Sequence, residues 1–508
     1  MSAATQTARV ALSGERAWLV GGAVRDALLG RRTADVDVVV DGDPERAARA
    51  VARAARRAAC FELSREFGSW RVVAREHAWQ VDVEPLRGGT IEADLALRDF
   101  TVNAIAEPLA GGDAIDPLGG IPDLRARRLR MAGAGAFEDD PLRVLRLVRL
   151  ALELELEPDA DTVRSAGAHA RRLREVSAER VFAELRRVIS APGVRHGLEL
   201  MDALGATAAV LPELEELRGI QQNRYHHLDV YGHTLEVLDR VVALTAGAGG
   251  ASRGGADAEL EACIGPWRAE LDALLGEPLA DELTRGEALR WGALLHDAAK
   301  PLTRAVRPED GRVTFIGHDE RGAQLARALL ERLRASERLR AHVAALVRHH
   351  LRLGFLVHRP QPLARRTVFD YLRTCAPVEV DVTLLSIADR LATRGDRAPE
   401  AIAAHLALAG PMLDDALRWR AEGLPRPLVR GDELARELAI PTGPQVGELL
   451  EQLAAGQYAG EIATRADALA HAHALLEARS DLEAEVAPKS KPEPEAGGGL
   501  DVGSAPDG

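Results

Sequence analysis

Along the first 120 residues, short apolar runs recur between helical stretches. AWLV (17–20), DVDVVV (35–40), WRVVA (70–74) and WQVDV (79–83) have the length and alternation of strands. PERAARAVARAARRA (44–58) reads as a helix opened by Pro44. This half is therefore expected to be an α/β head. After Pro141 the period becomes helical almost to the end, with Leu, Val and Ala recurring between short Gly and Pro breaks. AGAGGASRGGAD (246–257) reads as a mobile loop within the helical half. From about 486 the chain lacks core-forming residues and is expected to be disordered. No internal repeat interrupts this plan.

Composition refines the picture. At 508 residues the chain can build several cores, and aromatics supply only 4% of it. The cores must be packed with Leu, Val and Ala, which favours helices. Cys60, Cys263 and Cys375 are far apart and form no CxxC pair. That argues against disulfides and thiolate zinc, and fits a reducing cytoplasm. No run of about 18 apolar residues occurs, so neither a signal peptide nor a membrane span is expected. A net charge of −13 is awkward for a phosphate-binding protein. Phosphate, however, meets local patches rather than the whole-chain sum. The basic residues are nearly all arginine, with lysine only at 300, 489 and 491. Composition thus neither supports nor excludes RNA as a partner.

The segment LVGGAVRDALLGRRTADVDVVV (19–40) is the most informative. It reads as strand, glycine turn, helix, turn and second strand. Gly21 and Gly22 let the backbone approach a ligand and leave amides free for an anion. Arg25, one turn into the helix, can grip a phosphate. Asp35 and Asp37 lie two apart on a strand, so both carboxylates project from one face while Val36, Val38 and Val40 fill the other. Two hard oxygen ligands side by side suit Mg²⁺. Such a site can activate a 3′-hydroxyl and neutralise a leaving pyrophosphate.

The GGxVRD…DxD arrangement resembles the first motif of the polymerase-beta-type nucleotidyltransferase superfamily, in its bacterial poly(A) polymerase and CCA-adding branch. Further stretches resemble that family's later motifs in order: LRDFTVNAIA (97–106), DPLGGIPDL (116–124), DDPLRVLRLVR (139–149) and SAERVFAEL (177–185). The resemblance runs from about 17 to 230. It implies a polymerase-beta-like mixed sheet, Mg²⁺ at the head, CTP and ATP as substrates, and the tRNA 3′ end as partner. It also places Arg98, Asp99 and Asn103 with Gly21, Gly22 and Arg25 at the nucleotide. A third carboxylate is usual in the superfamily, and Asp82 is the candidate, with Glu84 as the alternative.

Asp140 and Arg143 are three apart on a predicted helix and so share a face. Cytosine and adenine each present an amino donor beside a ring-nitrogen acceptor. A carboxylate can accept from the first while a guanidinium donates to the second. Uracil and guanine would instead turn a carbonyl toward the carboxylate. On residues alone the pair is equally an ordinary surface ion pair; the resemblance makes Asp140 and Arg143 the base readers. It further implies that Arg146 and Arg149 hold phosphate or pack beneath the nucleotide.

A second constellation follows. VYGHTLEVL supplies His233, LLHDAAKP supplies His296, Asp297 and Lys300, and SIADRLATRG supplies Asp389. An H…HD…D set offers imidazole and carboxylate ligands for a divalent metal. This set resembles the HD phosphohydrolases, which implies hydrolysis of phosphomonoesters or cyclic phosphodiesters. His318 and His349 stand where dinuclear members place extra ligands, whereas His226, His227, His342 and His350 match no position. Residues 427–469 resemble the C-terminal helical body of HD-containing CCA-adding enzymes.

The expected organisation is a nucleotidyltransferase head (17–138), a helical nucleotide-selecting and RNA-binding region (139–222), an all-α HD domain (223–395), a helical body (396–485) and a disordered tail (486–508). Two departures from the family pattern matter. Position 97 is Leu where paired arginines usually begin the second motif. Only LRGGTIEAD (86–94) stands where complete CCA-adding enzymes carry a longer, charged, flexible segment. That shortness resembles enzymes adding only the two cytidines, so CC addition stays beside CCA addition, with poly(A) addition a further alternative. A reading of another class is an HD phosphohydrolase whose head only binds nucleotide.

Overall fold

The computed structural model describes residues 2–55, 58–245 and 255–486. Its head carries a six-stranded sheet in the order β3-β4-β5-β2-β1-β6. The strands are β1 (Ala17–Val20), β2 (Asp35–Val40), β3 (Ala59–Ser64), β4 (Ser69–Val73), β5 (Gln80–Pro85) and β6 (Ala106–Pro108). β2 and β5 run parallel, in a register that sets Asp37 beside Asp82 and Val39 beside Glu84, while the other pairs are antiparallel. The valines of β2 explain its central place: Val36, Val38, Val39 and Val40 are all buried, so the strand needs cover on both faces. One side packs Trp18, Val20 and Val39 against Ile91, Leu95, Ala104 and Ala106.

The four strands expected from sequence are present within one or two residues. β3 and β6 were not anticipated. β3 is an edge strand with most side chains exposed, so it needs no alternating pattern, and β6 has only three residues, one a proline. The helix expected over 44–58 spans Pro44–Ala54, and residues 56–57 lie outside the described residues. Residues 246–254 of the expected loop are likewise outside them, and a helix begins at Gly255. The expected disordered tail also lies outside the described residues beyond Val486, where a helix from Arg465 reaches its last described position.

Two short helices flank β2: α1 (Gly22–Leu28) before it and α2 (Pro44–Ala54) after it. Beyond the head come α3 (Arg143–Leu154) and α4 (Ala178–Ser190), packed together. A helical cluster follows, built on α5 (Val230–Thr245), α6 (Arg285–Leu295), α7 (His318–Arg332), α8 (Glu337–His349) and α9 (Glu379–Ala392). α5 packs on both α6 and α9, and α7 packs on α8. Among the described residues no helix is long and apolar enough to cross a membrane.

By compactness the chain divides in two. One unit holds residues 1–358 and 377–414 and contains every element labelled above. The other holds 359–376 and the residues from 415 on; its core gathers Val429, Leu434, Leu438, Leu449, Leu453 and Ile462.

α6 begins with a capping box between Thr284 and Glu287, and every residue along it except Glu287 is buried. Two of them are arginines, Arg285 and Arg290. Arg290 donates to the carbonyls of Ile189 (3.3 Å), Ser190 (2.6 Å) and Ala191 (3.1 Å), and to Thr245 Oγ1. A buried cation thus satisfies the carbonyls at the C-terminal end of α4, where the helix dipole favours positive charge. Arg290→Leu strands these carbonyls and is expected to lower stability by about 2–4 kcal/mol. Chemical denaturation checks this: an unchanged midpoint would show that the cap carries no load.

Candidate active site and metal centre

The head site starts at Gly21, whose φ of 68° is reached cheaply only by glycine. A Cβ there would stand 3.0 Å from Arg98 Nη1 and 3.3 Å from Asp37 Oδ2, so the glycine lets an anchored cation and a carboxylate meet over the turn. A cavity of about 420 Å³ opens here, walled by Gly21, Gly22, Arg25, Asp35, Asp37, Glu84, Arg98, Asp99, Asn103, Asp140, Arg143, Arg146 and Arg149. The expected head residues are therefore brought together, Asp82 excepted.

Asp82 and Glu84 share a face of β5, and a neighbouring strand separates them. Arg71 on β4 holds Asp82 bidentately, Nε to Oδ1 and Nη2 to Oδ2 at 2.7 Å each. Glu84 carries no such clasp and lines the cavity, its carboxylate 3.9 Å from Arg98. Asp37 feels this crowding. Burial first, then the charges of Glu84 and Asp82, raise its carboxyl to about 6 against the pull of Arg98 and Arg146. A concentration of hard oxygen donors around a carboxyl that is raised in this way fits a divalent cation.

A chain of polar contacts backs the cavity. Arg25 donates to Asn103 Oδ1 at 2.6 Å, and Asn103 Nδ2 to Asp99 Oδ1 at 2.9 Å. Asp99 Oδ2 accepts from Arg146 at 2.6 and 2.9 Å. Arg149 is buried in α3 and pairs with Glu184 and Glu153, so it lies beneath the floor. Asp94, absent from the sequence reading, is fully buried; it accepts from the Arg87 backbone and side chain and from Arg98. It pins the short 86–94 segment. Its only sequence signal was an acid four residues before Arg98 on a helical stretch.

Asp140 needs a correction. It does not share a helix with Arg143: α3 starts at Arg143, and Asp140 precedes it with extended backbone (φ −145°, ψ 102°). Pro141 forces this, because the residue before a proline is driven out of the helical region. Asp140 Oδ1 accepts from the Leu142 amide and Oδ2 from Arg180. Arg143 turns instead to the carbonyls of Leu97, Arg98 and Ala136.

The second site sits where α5, α6, α7 and α9 converge. Asp297 is its hub. Oδ2 lies 3.2 Å from His296 Nε2 and 3.8 Å from His233 Nε2; Oδ1 lies 3.3 Å from His318 Nε2 and 3.9 Å from His350 Nε2. His233 Nε2 also meets Asp389 Oδ1 at 3.0 Å. Two ligand-sized groups result, His233/His296/Asp297 and Asp297/His318/His350. Burial opposes a charge on Asp297, yet His296 and Lys300 hold its carboxyl well below the usual carboxylate range.

The imidazoles are oriented alike. His296, His318 and His350 each set Nδ1 against a backbone carbonyl, of Ala293, Phe315 and Val347, at 2.6–2.7 Å. Each Nδ1 must therefore carry a proton, which turns Nε2 toward Asp297 as the nitrogen able to ligate. The Nε2 atoms of His318 and His350 face each other at 3.3 Å. Burial, then the His296 and His318 charges, push His350 down to about 4, which keeps it neutral. Ring nitrogens gathered around a shared carboxylate fit a bound cation.

His349, expected here as a ligand, is elsewhere: it ends α8, half-buried, and accepts from Arg352. The neighbouring His350 takes the place, since one residue past the helix end rotates the side chain inward. His226 was also unassigned, yet its ring stacks edge-on to His233 at 5.1 Å and lines the adjoining cavity of about 550 Å³. Lys300, Arg307, Arg312 and Arg390 line the same cavity.

Comparison with known proteins gives three matched regions. Residues 17–130 match the Poly A polymerase head domain, 155–217 the probable RNA- and SrmB-binding site of polymerase A, and 271–394 the HD domain. The chain is 38% identical over 457 residues to the A-adding tRNA nucleotidyltransferase of Deinococcus radiodurans, covering 89% of this chain and 94% of that one. It is 35% identical to the CC-adding tRNA nucleotidyltransferase of Thermus thermophilus (89% and 92% covered), and 32% to the multifunctional CCA protein of Xanthomonas campestris pv. campestris (85% and 95%). Its fold is like that of the Thermotoga maritima CCA-adding enzyme solved with tRNA, with a TM-score of 0.58 at 18% identity over 93% and 95% of the two chains.

Asp99 offers a check on the head network. Burial pushes its carboxyl up, but Arg146, Asn103 and the Phe100 amide together hold it at about 2, below the ordinary 3.8. A depressed folded pKa stabilises above pH 4 and loses that contribution as pH falls toward 2. Asp99→Asn is expected to cost roughly 2 kcal/mol at pH 7, a deficit that shrinks below about pH 4. Denaturation of both proteins across that range checks it; a pH-independent gap would count against the charge.

Proposed function

We propose, from the premise that this chain belongs to the tRNA nucleotidyltransferase family, that it adds C and A to the 3′ end of tRNA from CTP and ATP without a nucleic-acid template, and that its HD portion is a second, metal-dependent site. One observation carries the reading: Asp35, Asp37 and Glu84 open onto the same cavity as Asp140 and Arg143, so reacting phosphates and a selected base fit one pocket. The division of the chain into a 17–138 head, a 139–222 selecting region, a 223–395 HD domain and a 396–485 body belongs to the same proposal.

Asp35 and Asp37, with Glu84 or Asp82 as third carboxylate, would hold Mg²⁺. Bound there, the ion supplies activation of the RNA 3′-hydroxyl and charge neutralisation at the leaving pyrophosphate. The chain's own residues do the rest. Gly21 and Gly22 bring backbone close to the triphosphate, and Arg25 and Arg98, oriented by Asn103 and Asp94, grip it. Asp140 accepts from the amino group of cytosine or adenine. Arg143 spends three donors on carbonyls. A guanidinium has five, which leaves it donors for the ring nitrogen. Arg146 and Arg149 support the floor.

A second reading, CC addition alone, draws on the 86–94 segment. Buried Asp94 ties it down through Arg87 and Arg98, which leaves little length to move when the pocket changes from C to A. Purified protein with tRNA lacking CCA, Mg²⁺ and CTP, with or without ATP, separates the two. Products ending in CCA are expected; arrest at CC despite ATP selects the second reading. Asp35→Ala is expected to lower transfer by about a thousandfold or more, and extension at the wild-type rate would sink the transferase reading.

For the HD site we infer a divalent metal held by His233, His296, Asp297 and Asp389, with His318 and His350 facing a second position across Asp297. The cationic lining from Lys300, Arg307 and Arg312 suits a phosphate ester, and metal-dependent phosphohydrolysis is the reaction the set supports. Elemental analysis of the purified protein is expected to find divalent metal that Asp297→Ala loses. Equal metal in both proteins would remove the assignment.

A further inference from the structure

α4 turns three charges toward α3 and the turn before it: Arg180, Glu184 and Arg187, spaced four and three apart on one face. Each meets its opposite. Arg180 Nη2 donates to Asp140 Oδ2 at 2.7 Å, Glu184 Oε2 accepts from Arg149 Nε at 2.5 Å, and Arg187 Nε donates to Glu153 Oε1 at 2.9 Å. The last two pairs tie α4 to α3. The first is different, because its carboxylate, Asp140, lies outside any helix and itself lines the cavity, which neither Glu153 nor Glu184 does.

Exposure sets only the middle pair apart: the Arg149 and Glu184 side chains are 6% and 10% exposed, whereas those of Arg180 and Asp140 are 54% and 27% exposed and those of Arg187 and Glu153 51% and 27%. An ion pair so open to water adds little to stability, so its consequence is geometric. With Oδ1 on the Leu142 amide and Oδ2 on Arg180, the carboxylate plane of Asp140 is fixed. A carboxylate has about four acceptor sites; two are used, and the remainder can meet one amino group.

We propose that Arg180 is a positioning residue for base selection: by holding Asp140 it keeps an acceptor turned toward the base edge, so that amino-bearing cytosine and adenine are taken and carbonyl-bearing uracil and guanine are refused. The inference rests on the reading of Asp140 as a base reader. Without Arg180 the Asp140 side chain can rotate, and an incoming carbonyl no longer meets a fixed lone pair.

The test uses the full-length protein, tRNA lacking its terminal C and A, Mg²⁺, and each nucleoside triphosphate in turn. Arg180→Gln is expected to lower the CTP-to-UTP ratio of kcat/KM by about tenfold, with Arg180→Lys restoring part of it and unchanged thermal unfolding in both. Adding Arg180→Gln to Asp140→Ala is expected to change selectivity no further, because the arginine acts through that carboxylate. An unchanged ratio, an equal fall for all four nucleotides, or additive effects in the double variant would each overturn the proposal. Absence of any transfer by the wild type, or full selectivity in Asp140→Ala, would instead overturn the reading beneath it.

Discussion

Asp99 accepts two hydrogen bonds from Arg146, one from the Asn103 amide and one from the Phe100 backbone, and it does so with almost no access to water. A buried carboxylate is tolerated only when its charge is met on all sides, and the groups that meet it come from separate stretches of chain. Arg146 belongs to α3, while Asn103 reaches back to Arg25 beside the glycine turn. The glycine-turn wall and the α3 wall of the cavity are thereby set against one another. Arg146 and Arg149 continue the line to Glu184 on α4, whose far end is capped by Arg290 of α6. A network of this kind fixes positions more than it adds stability.

The HD site obeys a complementary constraint. In the head, carboxylates crowd around Asp37, an arrangement that fits a cation. Around Asp297, imidazoles are oriented by backbone carbonyls at Nδ1, and their Nε2 atoms converge on a carboxylate with both oxygens engaged. Neither arrangement depends on net charge. The cavity in the head is rich in arginine although the chain carries −13, but Arg146, Arg149, Arg180 and Arg187 are already paired with acids there. Arginine in this pocket is in large part structural wiring, which explains why composition had so little to say.

The local alphabet alone determined a good deal. A two-residue period put Asp35 and Asp37 on one face of a valine-filled strand, and a glycine pair marked the turn before it; the H…HD…D set was recognisable by its ligand types and its resemblance to a known family. The first two are legible because strand period and turn conformation are properties of short segments. The edge strand β3 left no trace in the pattern because an exposed strand needs no apolar face.

Tertiary structure decided between residues that the sequence left equivalent. Asp82 and Glu84 share a strand face, and Arg71 from the adjacent strand clasps only Asp82. His349 and His350 are neighbours, and the end of α8 turns only His350 toward Asp297. Pro141 set Asp140 outside its expected helix, where Arg180, some forty residues on, became its partner. In each case the deciding contact comes from another element, and no periodicity within a segment encodes which distant side chain will arrive beside it.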